Sequence, residues 1–121
     1  KDPYVEELEP IQFVEEEQQP MIRNHVEYMV MDLRIDNSVD KYIEPGDCVA
    51  IRVDSDSSAL KVSLFCEPDT NSFKVSVNGK SVTSVNGMLS HRFSVSANKT
   101  YYVYIDNLSD ERIHVTGSIH S

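Results

Sequence analysis

The residues of this 121-residue chain that best fit a binding role are tyrosines. Tyr102 and Tyr104 stand two positions apart in "TYYVYID", and Tyr28 belongs to the earlier run "HVEYMV". Because successive side chains of an extended strand point to opposite faces, Tyr102 and Tyr104 share one face. Exposed tyrosines bind sugars and peptides through an apolar ring and a polar hydroxyl. We therefore predict a ligand-binding surface at Tyr28, Tyr102 and Tyr104, unless a segment such as residues 11–14 covers it.

Tyr101 belongs to the other face of the same segment. It alternates with Val103 and Ile105, which are the residue types that fill a core. We expect Tyr101 to be structural, with a hydrogen-bond partner for its hydroxyl.

Two carboxylates, Asp54 and Asp56, are the candidate metal ligands. They stand in the turn "DSDSS", and a calcium-binding EF-hand loop that began at Asp54 would need Gly at position 59 and Glu at position 65. The chain has Ala59 and Phe65 instead. A looser calcium site, made of the two carboxylates and backbone carbonyls, stays open beside an ordinary turn built from Asp and Ser. We predict no other cofactor.

The two cysteines carry no catalytic signature. The chain also lacks G-x-S-x-G, H-E-x-x-H and a glycine-rich phosphate loop, so we predict that it is not an enzyme. The alternation of "DCVAIRV" places Cys48 opposite the apolar face, whereas in "ALKVSLFC" Cys66 continues it. This parity favours two free thiols, although a β-bulge would permit a disulfide.

Residues 21–121 show period-two alternation between turn signals and no helical period. The pattern predicts an all-β fold, an antiparallel β-sandwich of the jelly-roll or immunoglobulin-like kind with seven or eight strands. The two Asn-Gly pairs at 78–79 and 86–87 predict hairpin turns, and the first places Val75 opposite Val82. "DNSVDKYIEPGD" is interpreted as a loop that ends in a Pro-Gly turn, and "LSHRFSV" alternates with His91 on its inner face.

A phase slip near position 30 marks the first β segment, "MIRNHVEYMVMDLRI". Its alternation runs through Val26, Tyr28 and Val30 and then through Leu33 and Ile35. Such a slip indicates a bulge or a chain that passes between two sheets.

Residues 1–20 form an acidic leader that contains three prolines, and we expect it to be extended or partly disordered. The leader holds seven acids against Lys1, whereas the remaining residues carry 13 acids and 10 bases. The total charge of −9 argues against nucleic acid as a partner. No stretch approaches the ~18 apolar residues of a transmembrane helix. We expect a monomer or a weak oligomer.

From residue 42 to residue 119 the order of features resembles a known family. A Pro-Gly turn leads into "EPGDCVAIRV", a strand "ALKVSLF" follows, and the chain ends in "FSVSANKTYYVYIDNLSDERIHVTGSI". This is similar to the small secreted bacterial modules of the pre-peptidase C-terminal type, and more loosely to GOLD-type sandwiches. The family usually has glycine where this chain has Lys99, and the acidic cluster that some members use for calcium has no clear counterpart here.

The resemblance implies a non-catalytic accessory domain of a bacterial protein, secreted or extracellular and in some cases at the cell surface. The first residue is Lys1, which predicts a processed or trimmed chain. We expect the module to bind or support a protein or glycan partner. Two alternatives stay open: a carbohydrate- or peptide-binding module that uses the exposed tyrosines, and a strand-exchange protein that lends residues 4–14 to a partner.

Overall fold

The computed structural model describes residues 23–121, and these residues form nine β-strands in two stacked sheets. In chain order the strands are β1 (Val26–Val30), β2 (Ser38–Ile43), β3 (Cys48–Ser55), β4 (Ala59–Glu67), β5 (Phe73–Val77), β6 (Lys80–Thr83), β7 (Met88–Ser94), β8 (Lys99–Asn107) and β9 (Ile113–His120). The five-stranded sheet has the order β1-β3-β8-β5-β6 and the four-stranded sheet the order β2-β9-β4-β7. The predicted β-sandwich is confirmed, with more strands than expected. The predicted leader, the covering segment 11–14 and the donated strand 4–14 all lie in residues 1–22, outside the described part of the chain.

The strand missed by the sequence is β2. It lies within the segment predicted as a loop, because Lys41 interrupts an alternation that Val39 and Ile43 otherwise follow. Val39 and Ile43 are buried in the core. Lys41 lies at the margin of the sandwich, where its Nζ contacts the Glu27 carboxylate of β1 at 2.5 Å. The ion pair with Glu27 of the other sheet therefore allows Lys41 to occupy an inward-facing position of β2.

One strand pair departs from the antiparallel pattern. Strand β1 pairs with β3 in parallel, with Val26 opposite Cys48 and Val30 opposite Arg52. Between them the chain crosses to the four-stranded sheet to form β2 and then returns in the original direction. Parallel neighbours require such a crossover, so the phase slip near position 30 marks the passage between sheets. Ile35, which the alternation grouped with Leu33, is exposed in the turn that makes this passage.

The core lies between the two sheets and is apolar. Residues of alternating positions on both inner faces are fully buried, among them Ile51, Leu60, Phe73, Phe93 and Ile105. The burial of these side chains supplies the main stabilising free energy of the fold, roughly 1.5–3 kcal/mol for each large one. His91, which alternates with Phe93, is exposed rather than inward and packs its ring against the edge of Phe93. Its strand β7 ends the four-stranded sheet, so the sandwich margin leaves the imidazole in solvent.

Both Asn-Gly pairs form the tight turns that were predicted. Asn78 and Gly79 have φ angles of 53° and 79°, and Asn86 and Gly87 have 53° and 77°. Positive φ at both central residues is the requirement of a type I′ turn. The first turn places Val75 opposite Val82, as expected.

The alternation of side chains along the strands also determines on which side of the sheet each cysteine lies. Cys48 and Cys66 are both free and both buried, as the alternation favoured. Cys66 lies in the core, whereas Cys48 occupies the same register row as Asp106, on the outer side of the five-stranded sheet. The two thiols are therefore separated by a sheet.

Candidate binding surface

The outer face of the five-stranded sheet brings the three candidate tyrosines together. Tyr28 comes from β1 and Tyr104 from β8, and both stand in register with Ala50 of the strand between them. Ala50 is fully buried and has only a methyl group. Because Ala50 is small, the aromatic side chains of β1 and β8, which lie on either side of β3, can approach one another above the sheet. We call Tyr28, Tyr102 and Tyr104 the tyrosine face.

The three rings form a bent row rather than a flat platform. The centroids of Tyr28 and Tyr102 are 5.9 Å apart with the planes at 81°, an edge-to-face contact. The centroids of Tyr102 and Tyr104 are also 5.9 Å apart, with the planes tilted by 31°. Both distances lie in the range of favourable aromatic pairs. Tyr28 is 65% exposed and Tyr102 39%, so ring surface remains available to a ligand.

Tyr101 faces the other way, as predicted. It packs against the core, while its neighbours in alternation, Val103 and Ile105, are fully buried. Its hydroxyl oxygen accepts a hydrogen bond of 2.8 Å from the backbone N–H of Ser96. The expected partner of this hydroxyl is therefore a backbone amide.

A partly buried ion pair closes one end of the tyrosine face. Asp106 continues the outward row of Tyr102 and Tyr104 but is only 1% exposed. Arg23 donates to it twice, from Nε to Oδ1 at 2.7 Å and from Nη2 to Oδ2 at 3.0 Å. The same guanidinium lies 4.9 Å from the Tyr104 ring centroid, a cation–π distance. Burial is the largest single effect and lowers the pKa of Arg23. The hydrogen bonds to Asp106 and the nearby charges, that of Asp106 first, together hold this pKa above its ordinary value.

Beneath this ion pair, the Cys48 thiol and the Tyr104 hydroxyl stay protonated at neutral pH. Burial raises the pKa of Cys48 to about 12, although the nearby charge of Arg23 acts against the rise. Burial also raises the pKa of Tyr104 to about 12, and Tyr28 adds to the effect. A thiol in this state is a poor nucleophile, because the thiolate is the reactive form. The protonated thiol therefore gives no support to cysteine chemistry at this site.

Positive side chains flank the row of rings. Arg52 is the register partner of Tyr102, and Lys74 is the register partner of Asp106 on the next strand. Both side chains fall on the outer face by parity, since register partners share a face. The outer face thus presents cations beside its aromatic groups, although the chain as a whole is acidic.

The candidate metal ligands lie elsewhere, at the end of β3. Asp54 accepts a hydrogen bond of 2.6 Å from the Thr100 hydroxyl, and Asp56 accepts one of 2.6 Å from the Ser121 hydroxyl. Both carboxylates line a groove of about 710 Å³ that also includes Asp32, Arg34 and Lys99. Within residues 23–121 no three His, Cys, Asp or Glu side chains come close enough together to form a metal-binding group. Calcium at Asp54 and Asp56 stays a prediction.

A second aromatic cluster, which the sequence did not indicate, lies on the four-stranded sheet. Tyr42 stacks on His114, with centroids 4.1 Å apart and planes at 10°. The Nε2 atom of His114 is 2.5 Å from Oδ1 of Asp40, and the Arg112 guanidinium lies 4.8 Å from the Tyr42 centroid. These side chains contact one another. Tyr42 therefore provides a control position for substitutions in the tyrosine face.

Sequence reasoning found the three tyrosines but missed Arg23 and the burial of Asp106. Parity placed Asp106 outward, yet nothing in the sequence indicates that an arginine 83 residues away covers it. The only available signal was an acid at an otherwise aromatic face, which requires a partner if it is buried.

The fold is similar to that of a known bacterial domain. The pre-peptidase C-terminal domain of a collagenase from Bacillus anthracis superposes with a TM-score of 0.58 and 12% identity, over 85% of this chain and 99% of that domain. PliG of Aeromonas hydrophila, a periplasmic inhibitor of g-type lysozyme, matches with a TM-score of 0.47 and 9% identity, over 78% of this chain and 99% of that one. No family model matches the sequence, and no curated protein matches it.

The first of these similarities confirms the suspected resemblance to the pre-peptidase C-terminal type at the level of fold. At this identity it carries no information about ligands. Within residues 23–121 the structure contains no helix long and apolar enough to cross a membrane.

Proposed function

We propose that the chain is a non-catalytic binding module of an exported bacterial protein, secreted or held at the cell surface, and that its tyrosine face binds a peptide segment of a partner protein. The observation that carries this proposal is the gathering of Tyr28, Tyr102 and Tyr104 on one sheet face. Three aromatic side chains from two strands share a surface on which Tyr28 keeps 65% of its area exposed. A contiguous exposed apolar patch with a polar surround is typical of an interaction site.

The ring geometry favours a peptide over a sugar. Flat stacking of several sugar rings needs aromatic planes that face the same way, whereas Tyr28 and Tyr102 are almost perpendicular. A bent aromatic row beside Arg52 matches the mixed apolar and polar side chains of a peptide, and tyrosine and arginine are enriched where proteins bind one another. The smaller tilt between Tyr102 and Tyr104 supports an oligosaccharide as the second candidate.

Binding and substitution test this proposal together. The full chain is presented to a displayed library of random dodecapeptides and, in parallel, to a glycan array. Tyr102→Ala and Tyr28→Ala are compared with Tyr42→Ala, which removes from the other sheet a tyrosine whose exposed fraction, 57%, lies between those of Tyr102 and Tyr28. We expect a selected peptide whose affinity falls at least tenfold with Tyr102→Ala and is unchanged with Tyr42→Ala.

Thermal unfolding of each variant confirms that the fold is kept. Glycan binding that depends on Tyr102 would support the second candidate instead. If neither probe binds at millimolar concentration, or if Tyr42→Ala alone weakens binding, the proposed surface is wrong.

A further inference from the structure

Strand β1 lies beside the tyrosine face, and within residues 23–121 its outer edge pairs with no other strand. It ends the five-stranded sheet of the described residues, with β3 on one side. The carbonyl of His25 accepts from the N–H of Cys48 at 2.9 Å, and the N–H of Met31 donates to the carbonyl of Arg52 at 2.9 Å. Residues 25 and 31 therefore direct their backbone groups at β3.

These two bonds determine in which direction the backbone groups of the other β1 residues point. Backbone groups of a strand alternate in direction, so residues 27 and 29 also face β3. The N–H and C=O groups of Val26, Tyr28 and Val30 then point away from the sheet. Within residues 23–121 no backbone group bonds to them. Their side chains share the outer face with the tyrosines, and Val30 is 73% exposed.

Val26–Val30 contain no lysine and no proline, two residues that commonly protect a sheet edge against added strands. Its one charged residue, Glu27, is engaged by Lys41 of the other sheet. The other end strands carry charges of their own: Asp40 and Lys41 in β2, Lys80 in β6 and Arg92 in β7. Among the four end strands, β1 has the most apolar outward row.

We infer that β1 is a strand-addition site, where an extended peptide of the partner pairs with Val26, Tyr28 and Val30 and lays alternate side chains on the tyrosine face. This inference rests on the proposed function and names its mode of recognition. Main-chain hydrogen bonds supply affinity in such complexes, and pockets for alternate side chains supply specificity. The added strand lies ~4.8 Å beyond β1, within reach of the exposed ring of Tyr28.

Charge complementarity selects the peptide. Arg52 stands in register with Val30 at the end of this edge, and its side chain is exposed. A peptide with apolar residues at alternate positions and an acidic residue near Arg52 matches this arrangement. Arg52→Ala should therefore weaken binding several-fold, and the effect should shrink in high salt.

The test uses the full chain and a dodecapeptide selected from the displayed library. Val30→Pro removes one outward N–H without touching the β1–β3 bonds, and proline is tolerated at an edge whose N–H faces outward. Val30→Ala is the matched control, because it loses the same side chain and keeps the N–H. We expect Val30→Pro to weaken peptide binding at least tenfold more than Val30→Ala does.

A second measurement covers the case in which Val30→Pro disturbs the fold. Backbone N-methylation of the peptide at every second residue should abolish binding in one phase and leave it intact in the other, since only one edge of the peptide faces β1. If the peptide binds Val30→Pro and Val30→Ala equally well, or if both phases of N-methylated peptide bind equally well, strand addition is wrong. The proposed function would still stand in that case if peptide affinity depends on Tyr102. A dimer of the chain that Val30→Pro disperses in light scattering would also overturn strand addition by a partner peptide, in favour of a second copy at this edge.

Discussion

The guanidinium of Arg23 and the carboxylate of Asp106 form a two-pronged ion pair between residues 83 positions apart. The pair joins the segment that precedes β1 to the end of β8, across β3. Asp106 is 1% exposed, so its charge relies on this partner rather than on water. The arrangement fixes the entry of β1 and with it the position of Tyr28.

Removal of Arg23 should destabilise the fold and disorder the tyrosine face. Arg23→Ala leaves a buried carboxylate without its two charged donors, and we expect the free energy of unfolding to fall by about 2 kcal/mol. Urea denaturation measures this loss. Arg34→Ala is the control, because its ion pair with Asp32 is exposed to solvent and should contribute little to stability. Equal effects of the two variants would contradict the role given to Arg23.

Alkaline pH should lower the stability of the fold through Cys48. Its pKa is about 12 in the folded state and 9.0 for an ordinary thiol, so above pH 9 the unfolded chain releases a proton that the folded chain keeps. Stability is then fully retained below pH 9 and declines as pH rises towards 12, by up to about 1.4 kcal/mol per pH unit for this group. Urea unfolding at pH 8, 9.5 and 10.5 measures the decline. Cys48→Ala should flatten this curve; an identical slope in the variant would exclude the thiol as its source.

Gly117 should not tolerate a side chain. Its φ is 145°, and a Cβ atom at this position would lie 2.0 Å from the backbone oxygen of Ser63 on the neighbouring strand. Gly117→Ala therefore forces β9 and β4 apart, and we expect a loss above about 3 kcal/mol or failure to fold. At Gly79 a Cβ would meet nothing within 4 Å, so Gly79→Ala should cost only about 1–2 kcal/mol for its positive φ. Thermal unfolding compares the stability of the two variants. A smaller loss for Gly117→Ala than for Gly79→Ala would contradict the close pairing of β9 with β4.

The hypothesis of calcium at Asp54 and Asp56 predicts stabilisation by the ion alone. Addition of 5 mM calcium chloride should raise the Tm, because a ligand that binds only the folded state stabilises it by mass action. Asp54→Asn combined with Asp56→Asn should abolish the shift, and magnesium chloride at equal ionic strength is the control. An unchanged Tm of the full chain would end the hypothesis.

The sequence determined the features that depend on local chemistry and on period two. The Asn-Gly turns followed from the need for positive φ, and the inward or outward side of each residue in β8 followed from strand parity. Parity also separated Cys48 from Cys66 and placed Tyr102 and Tyr104 on one face. These predictions held because each rests on neighbours in the chain.

Only the tertiary structure decided which strands are neighbours. The parallel pairing of β1 with β3 brings Tyr28 to Tyr102, and it depends on a crossover that the sequence marked only as a phase slip. Lys41 in β2 and Asp106 in β8 read as outward or loop residues until their partners, Glu27 and Arg23, come from distant positions. A charged side chain can be buried where an oppositely charged side chain pairs with it. Local sequence patterns do not show such a partner when it is distant in the chain.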